Sequence, residues 1–388
     1  MYKYDQRGVS ATKDEVHQAI KNLDKGLFAN AFCKVLPDFV GNDKDYCNLM
    51  HADTAGTKTS LAYMYWKETG DLSVWEGIAQ DAIVMNLDDM ACVGCTDNIL
   101  LSSTIGRNRN LISGDVISTL INATVSFADK MREFGVELHL AGGETADVGD
   151  IVRTIDVGYT AFARIKRKEL IINNIQAKNV IVGMASYGQA TYENTYNGGM
   201  GSNGLTSARH DVFHHDYAAK YPDCYDNNTP EAVIFNGSKS LTEKININGE
   251  SIDIGKLVLS PTRTFLPVLK QVIAECKEKI DGIIHCTGGG QAKVLKFVEN
   301  KRIVKDNLFA TPPLFELIQG ESGTTWREMY QVFNMGNRME VYTNDITAAR
   351  VIEIAQSFGI EAQIIGYVED APQNEVIVKS TYGTFLYQ

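Results

Sequence analysis

The stretch His51-Ala52-Asp53-Thr54-Ala55-Gly56-Thr57-Lys58-Thr59 combines a carboxylate, a glycine, hydroxyls and a lysine within nine residues. The run Asn48-Leu49-Met50 precedes it, so the polar residues are predicted to lie where a strand ends. Small residues at such a point let backbone N–H groups approach an anion. The pattern is not a Walker A loop, because Thr57 separates Gly56 from Lys58. It predicts a phosphate or metal site, with a solvated turn as the alternative.

Two glycine-rich segments are predicted to bring similar groups to other strand ends. Residues 141–146, Ala-Gly-Gly-Glu-Thr-Ala, follow an apolar stretch, so a Gly-Gly turn is expected to present Glu144 and Thr145. Thr287-Gly288-Gly289-Gly290 follows the apolar Ile283-Ile284 and is expected to wrap a phosphate.

Residues 75–93 are predicted to form a helix that carries acidic groups. Apolar residues recur there at helical spacing, and the segment contains Asp81, Asp88 and Asp89. Asp81 and Asp88 are seven residues apart, so they are expected on one side of the helix. Their alternative is chance clustering, since the chain has 48 acidic residues.

Hard oxygen ligands of the type that suits magnesium on a polyphosphate are available in these segments. The predicted metal ligands are Asp53, Asp81, Asp89 and Glu144. Lys58 is expected to neutralise phosphate charge, and metal ions to complete the stabilisation of phosphoryl transfer. The sequence therefore predicts ATP-dependent chemistry with Mg²⁺.

The order of motifs along the chain resembles a known family. After the Asp-x-x-Gly-Thr-Lys segment and the Gly-Gly-Glu-Thr-Ala turn come four later members. They are Ser202-Asn203-Gly204, Pro261-Thr262-Arg263, Thr287-Gly288-Gly289-Gly290, and Met329-Tyr330 leading to Phe333-Asn334-Met335-Gly336. The series is similar to aminoimidazole ribonucleotide synthetase, also called phosphoribosylformylglycinamidine cyclo-ligase. The wider ATP-binding superfamily includes formylglycinamidine ribonucleotide synthetase.

The resemblance implies an ATP-dependent ring closure in purine biosynthesis, in which the formyl oxygen of formylglycinamidine ribonucleotide is phosphorylated and an amidine nitrogen displaces phosphate. It also implies a homodimer that pairs through the sheets of the N-terminal domains. We expect catalytic roles for Lys58, Asp89 and Glu144, and substrate contacts from Ser202, Asn203 and Arg263. The expected ATP and phosphate contacts are Asp53, Gly56, Thr57, Lys58, Gly142, Gly143, Thr145, Gly288 and Gly289.

The chain departs from the family pattern in three places. The first motif has His51-Ala52 where the family has Gly-Thr before the aspartate. The loop that usually reads Pro-His-Ser-Asn-Gly begins Met200-Gly201 here, so its histidine is missing. Asp88 stands where the family tends to have asparagine. These changes indicate a divergent branch.

Composition favours a cytoplasmic enzyme that binds neither nucleic acid nor membrane. The formal net charge is −11, which repels other polyanions. The N-terminus lacks an apolar signal region, and no run of about 18 apolar residues is present to span a membrane. A nucleotide substrate must therefore meet locally positive groups, for which the candidates are Lys58, Arg107, Arg109 and Arg263.

The chain is predicted to form two α/β domains, with an N-terminal ATP-binding and dimerisation domain over residues 1–167 and a C-terminal domain over 168–388. The N-terminal domain is expected to have a mixed sheet. Predicted helices cover residues 12–23, with Val16, Ile20 and Leu23 inward, and 114–134 and 346–358. Predicted strands cover residues 136–141, 156–165, 180–186 and 362–368. Residues 209–255 are interpreted as an insertion, either a lid or a surface loop, with the loop favoured.

Two other patterns have competing interpretations. Cys92 and Cys95 form a Cys-x-x-Cys, interpreted as a structural helix end closed by Gly94 because no second pair accompanies it. His210, His214 and His215 include an i, i+4 pair that could bind metal, but no third ligand is compelling apart from Asp211 or Asp216, so a solvated segment is the favoured interpretation.

Functional alternatives are selenophosphate synthetase, thiamine-monophosphate kinase, the hydrogenase-maturation dehydratase, or a nucleotide-binding paralogue without turnover. The Cys33-Lys34 pair keeps the first of these open.

Overall fold

The protein is described by a computed structural model that covers residues 3–10 and 14–388. The elements of the first half are α1 (Lys3–Gln6), α2 (Asp14–Ile20), β1 (Val35–Pro37), β2 (Tyr46–Thr54), α3 (Lys58–Thr69), α4 (Ser73–Ala91), β3 (Ile99–Arg107), α5 (Gly114–Glu133), β4 (Leu138–Asp147) and β5 (Ile155–Lys166). Within the described residues, no helix has the length and apolar character needed to cross a membrane.

The second half continues the alternation of helices and strands. Its elements are β6 (Val180–Ala185), α6 (Leu205–Val212), α7 (Asp216–Lys220), β7 (Lys244–Ile247), β8 (Glu250–Asp253), α8 (Ile254–Val258), α9 (Leu266–Cys276), β9 (Ile280–His285), β10 (Lys301–Lys305), α10 (Pro313–Ser322), α11 (Trp326–Val332), β11 (Asn337–Thr343), α12 (Asp345–Ser357), β12 (Ala362–Asp370), β13 (Glu375–Ser380) and β14 (Gly383–Tyr387). Short 3₁₀ segments occupy Arg167–Glu169, Pro222–Cys224, Glu231–Val233, Lys277–Lys279 and Gly290–Phe297.

Two mixed sheets confirm the predicted α/β class. The first has the strand order β1-β2-β5-β3-β4, and only its β3 and β4 run parallel. The second has the order β14-β13-β10-β12-β6-β11-β9. The predicted boundary near residue 168 falls between the last strand of the first sheet and the first strand of the second. That boundary stays a prediction.

Among the described residues, helices cover one face of the first sheet and leave the other open. Helix α4 packs on β2 and β5, and α5 packs on α4. The opposite face carries a cross-strand row in which Met50 and Leu100 both pair with Phe162. Met50 is 63% exposed and Leu100 is 43% exposed. The first sheet therefore presents apolar side chains on an uncovered surface.

The sequence predicts a turn at the glycine pair of the second motif. This prediction is wrong, because the pair lies inside strand β4. Strand β4 continues to Asp147, and its register against β3 shifts between Leu101 and Ser103. Gly142 has a φ of 84°, a conformation that glycine adopts without strain. The glycine thus permits a β-bulge, and pairing resumes beyond it.

Most other predicted elements are confirmed within a few residues. Helix α12 begins where the Asn344 side chain accepts a hydrogen bond from the Thr347 N–H, and Gly359 follows its last turn with a φ of 73°. The predicted helix over 12–23 is wrong in its extent, and part of it lies outside the described residues. Its apolar side chains Val16, Ile20 and Leu23 are exposed and not inward.

A buried ion pair connects α3 and α4 to the second half of the chain. Lys58 Nζ lies 2.8 Å from Asp81 Oδ1 and donates to the carbonyls of Ser260 and Gly201. The Thr262 N–H and hydroxyl also donate to Asp81 Oδ1. Burial lowers the pKa of Lys58 and raises that of Asp81, while their mutual attraction opposes both shifts.

We expect Lys58→Met to lower the free energy of unfolding by about 3–5 kcal/mol, because it leaves a buried carboxylate without its cation. The double variant Lys58→Met/Asp81→Asn should recover much of the loss, since Asn still accepts from Thr262. Urea denaturation measures both. Lys67→Met, on the exposed side of the same helix, is the control. Wild-type stability in Lys58→Met would contradict the burial.

Candidate functional site

Helix α4 brings Asp88 and Asp89 to the boundary between the two sheets. Asp88 accepts hydrogen bonds from Thr264 Oγ1 at 2.8 Å and from the Phe265 N–H at 3.1 Å. Its Oδ2 lies 3.8 Å from Arg338 Nη2. Burial raises the pKa of Asp88, and the Arg338 guanidinium partly offsets this effect. Asp88 therefore holds the start of α9 against α4.

Asp89 lies between two histidines that come from different parts of the chain. Its Oδ1 is 2.7 Å from His285 Nδ1, and its Oδ2 is 3.3 Å from His51 Nε2. Burial disfavours the charged carboxylate, but the hydrogen bonds from His285 and His51 outweigh it and hold the pKa of Asp89 below its ordinary value. The ionised carboxylate thus accepts from both rings.

The hydrogen bonds of His51 assign its protonation state. Asn86 donates through Nδ2 to the carbonyls of Ala82 and Tyr159, so its Oδ1 is left as an acceptor. His51 Nδ1 lies 2.9 Å from that oxygen and must donate to it. Its Nε2 faces the Asp89 carboxylate and must also donate. Burial opposes the charge, but Asp89 and Asn86 raise the pKa of His51 to about 9.

His285 presents a free ring nitrogen to a narrow pocket between the two halves of the chain. Its Nδ1–H donates to Asp89, and its buried Nε2 has no hydrogen-bond partner within the protein. The pocket lies among α4, residues 200–203, residues 285–287, Asn334 and Arg338. The Ser-Asn-Gly loop, the start of the Thr-Gly-Gly-Gly loop and the closing motif therefore meet at one place.

Asn334 of the closing motif braces the Ser-Asn-Gly loop. Its Nδ2 donates to the carbonyls of Gly199 and Met200, at 2.9 and 3.3 Å. Its Oδ1 accepts from the Ser186 hydroxyl and from the Gly336 N–H. Asn334 of the closing motif therefore has a structural role, because it fixes the backbone that leads into Ser202.

The Thr-Gly-Gly-Gly loop has positive φ angles at three successive glycines. Gly290 leaves no space for a side chain, since a Cβ there would lie 2.4 Å from the Tyr330 carbonyl oxygen. Gly288 is open, and the nearest atom to a Cβ there would be Asn203 Oδ1 at 3.7 Å. The backbone of Gly288 and Gly289 is therefore accessible beside Asn203, as a phosphate-binding loop requires.

Three predicted site residues are instead buried structural groups in this conformation. Lys58 was expected to contact phosphate and Asp81 to bind metal, but the two form the closed ion pair described above. Arg263 was expected to contact substrate. Its guanidinium is fully buried, pairs with Glu193 at 2.5 Å and donates to the carbonyls of Ala185 and Tyr187. The side chains of Lys58, Asp81 and Arg263 therefore make their polar contacts with other groups of the protein.

The predicted metal site of Asp53, Asp81, Asp89 and Glu144 is not formed within one chain. Glu144 pairs with Thr104, whereas Asp53 and Ser103 both pair with Tyr159. Because neighbouring residues of a strand point to opposite faces, Asp53 and Glu144 lie on opposite faces of the sheet. Among the described residues, no three His, Cys, Asp or Glu side chains are placed to hold a metal ion. These four residues therefore do not form one site within a single chain, and a role of any of them in binding magnesium on a nucleotide stays a prediction.

The remaining predicted phosphate contacts lie at the first sheet. Gly56 has a φ of 61° and open space around it, and Thr57 Oγ1 lies 2.7 Å from Thr206 Oγ1. The others are on β4, where Gly142, Gly143 and Thr145 are exposed. Their contacts with phosphate stay predictions.

His285 and Arg338 were missed by the sequence analysis, although each has a signal. His285 ends an apolar strand immediately before the Thr-Gly-Gly-Gly loop. Arg338 is a charged residue in β11, all of whose residues are buried. A cation inside a buried strand beside the closing motif indicates a specific partner.

The structure agrees with the interpretation of the Cys-x-x-Cys pair and differs from that of His210. Cys92 and Cys95 are free, buried thiols at the end of α4, and Gly94 has a φ of 93°, as the structural interpretation predicts. His210 is buried, accepts from the Phe235 N–H and packs on that ring, so it is not part of a solvated segment. Residues 209–213 are buried, which differs from the favoured surface-loop interpretation.

Comparison with known proteins gives family matches in both halves of the chain. Residues 33–165 match the N-terminal domain of AIR synthase related protein, and residues 237–379 match its C-terminal domain. A phosphoribosylformylglycinamidine cyclo-ligase of Methanocaldococcus jannaschii is 28% identical over 87% of this chain and 83% of its own length. One of Methanococcus vannielii is 28% identical over 93% of this chain and 87% of its own.

Solved structures share the fold at low identity. A HypE–HypF complex matches with a TM-score of 0.56 and 14% identity, over 98% of this chain and 99% of that one. A T. maritima PurL complexed with ADP matches with a TM-score of 0.52 and 13% identity, over all of this chain and 49% of that one. These likenesses concern the fold alone.

His51 predicts a pH dependence of stability. Its pKa rises from 6.5 to about 9 on folding, so between these values the folded state keeps a proton that the unfolded state has lost. The free energy of unfolding should fall across this window, by up to about 3 kcal/mol. Urea denaturation from pH 6 to 9.5 measures it. His51→Gln should remove the slope and His139→Gln, on β4, should keep it. Parallel profiles for wild type and His51→Gln would contradict the assignment.

Proposed function

The chain belongs to the AIR synthase related protein family, and on that premise we propose that it catalyses the ATP-dependent cyclisation of formylglycinamidine ribonucleotide. The products are aminoimidazole ribonucleotide, ADP and phosphate. The relatives named phosphoribosylformylglycinamidine cyclo-ligase support this activity. The PurL complexes with ADP and with AMPPCP support nucleotide binding by the shared fold.

One observation carries the proposal. Three motifs that are far apart in the sequence line one pocket, two of them contribute groups suited to an anionic nucleotide, and Arg338 follows the third. Ser202 and Asn203 supply short polar side chains, the loop at Thr287 supplies open backbone, and Arg338 supplies positive charge. The pocket lies at the boundary between two α/β halves, a common place for a substrate site, and its volume of about 10 Å³ requires the surrounding loops to open for a nucleotide.

The chemistry requires activation of a poor leaving group. The formyl oxygen takes the γ-phosphoryl group of ATP, which leaves as ADP. The amidine nitrogen then attacks the formyl carbon, and the bond between that carbon and the phosphorylated oxygen breaks to release phosphate. Positioning and charge stabilisation are the main contributions of an enzyme to such steps. In this chain Ser202, Asn203 and the loop from Thr287 to Gly289 would orient the substrate, and His285 is held rigidly by Asp89 at the pocket wall.

No step above is assigned to magnesium, because the described residues of a single chain do not bring three protein ligands together for it. Glu144 lies on the open face of the first sheet. A metal site that includes Glu144 would need a second chain on that face. Metal dependence of turnover therefore stays a prediction.

A homodimer in the cytoplasm completes the proposal. The apolar row of Met50, Phe162 and Leu100 on the open face supports pairing of two chains through their first sheets. Exposed apolar rows of this kind commonly mark interaction surfaces.

Selenophosphate synthetase-like chemistry is less well supported. It would need a reactive thiol, and burial raises the pKa of Cys33, with the charge of Asp89 adding to the effect. Lys34 does not activate this thiol, because its Nζ lies 3.3 Å from Asp24. A thiol without thiolate character is a poor nucleophile.

Purified protein with ATP and formylglycinamidine ribonucleotide should form an imidazole product in step with ADP. Phosphate release should require both substrates. Omission of each substrate is the control, and rescue of a purine-requiring strain that lacks its own cyclo-ligase is the cellular measurement. ATP turnover with another acceptor would favour a sibling activity, and nucleotide binding without turnover would favour the non-catalytic paralogue.

The dimer has its own test. Light scattering after size exclusion should give twice the 42.9 kDa chain mass for the wild type. Leu100→Lys should shift the protein to monomer, because a charge replaces an apolar contact in the middle of the row. Ile346→Lys changes an 87% exposed side chain of α12 and should leave the dimer intact. A monomeric wild type would contradict the pairing.

A further inference from the structure

The Arg338 guanidinium is buried without enough partners. Its side chain is 3% exposed, and its Nη2 donates to the Arg263 carbonyl and lies 3.8 Å from Asp88. Its Nε and Nη1 have no hydrogen-bond partner within the protein. Unpaired donors on a buried cation are costly, so they indicate that something else completes the site.

Two further groups at the same pocket share this property. The Ser202 hydroxyl is buried without a partner, and so is His285 Nε2. All three side chains line the pocket. Arg338 Nη1 would lie 3.5 Å from a Cβ placed on Gly201, the residue before Ser202. Since buried polar groups are nearly always hydrogen-bonded, three unpaired groups at one pocket point to a ligand.

The donors define the chemical class of that ligand. A guanidinium only donates hydrogen bonds, so the unpaired Nε and Nη1 of Arg338 require an acceptor, and the charge favours an anion. The nearby carboxylates are committed elsewhere. Asp88 accepts from Thr264 and Phe265, Asp89 accepts from two histidines, and Asp81 is neutralised by Lys58. Asp88 offsets part of the Arg338 charge, but no described carboxylate accepts from Arg338 Nε or Nη1, so an incoming oxyanion would supply the missing acceptor.

We propose that Arg338 and Ser202, at the pocket wall completed by His285, form an oxyanion-binding subsite that takes a phosphoryl group. The proposal deepens the function given above and rests on it for the source of that group. The group is either the phosphate ester of the nucleotide substrate or the phosphoryl group delivered by ATP. Arg338 is then a binding residue whose fork selects phosphate geometry.

Calorimetric titration with inorganic phosphate tests the subsite directly. Ser202→Ala removes a hydroxyl that bonds to nothing in the protein, so its melting temperature should match the wild type while phosphate affinity falls about fivefold. Arg338→Lys keeps the charge beside Asp88 but loses the fork, and it should weaken phosphate binding about tenfold or more. Arg350→Gln, at a 46% exposed side chain of α12, is the control for general charge. Wild-type phosphate affinity in both folded variants would overturn the subsite.

Competition identifies the source of the phosphoryl group. If ribose 5-phosphate displaces phosphate while a nonhydrolysable ATP analogue does not, the subsite takes the substrate ester, and the reverse result assigns it to the transferred group. Displacement by neither would overturn the proposal.

Failure of this proposal is distinguishable from failure of the proposed function. Arg338-dependent phosphate binding in a protein that makes no imidazole overturns the function and leaves the subsite. Normal KM and kcat in both Ser202→Ala and Arg338→Lys overturn the subsite and leave the function.

Discussion

Three carboxylates on one buried helix constrain the arrangement of this protein. Asp81, Asp88 and Asp89 all lie on α4, and each would be costly to bury alone. Asp81 is matched by Lys58, Asp88 by the start of α9 and Arg338, and Asp89 by His51 and His285. Most of these partners come from the second half of the chain, so satisfying the helix requires the two halves to dock in one relative position.

That docking also creates the pocket. His285 ends a strand of the second sheet, and its bond to Asp89 fixes the ring beside the Ser-Asn-Gly loop. The departure in the first motif has a physical role here, since His51 adds a second donor to Asp89. The protonated His51 imidazole thereby supplies positive charge to that carboxylate. His51, a departure from the family pattern, therefore gives Asp89 a second histidine partner beside His285.

Sequence reasoning predicted the elements better than the site. Helices such as α5 and α12 follow from apolar periodicity and local capping, which depend on residues close in the chain. An acidic residue in a helix has no such local signal, because a metal ligand and a buried ion-pair partner look alike. Asp88 depends on residues 264 and 265, and Asp89 on residue 285. The prediction for Glu144 fails for a related reason. The glycine pair predicts a turn that presents this carboxylate, whereas the strand continues through a bulge at Gly142.

The most direct test of the account is a crystal structure of the protein with formylglycinamidine ribonucleotide. The account predicts that the substrate phosphate or its formyl group lies in the pocket between the Ser-Asn-Gly and Thr-Gly-Gly-Gly loops. Its oxygens should be within hydrogen-bonding distance of Ser202 Oγ and Arg338, with Lys58 still paired to Asp81. Substrate bound on the open face of the first sheet, or Lys58 released to contact phosphate, would contradict it.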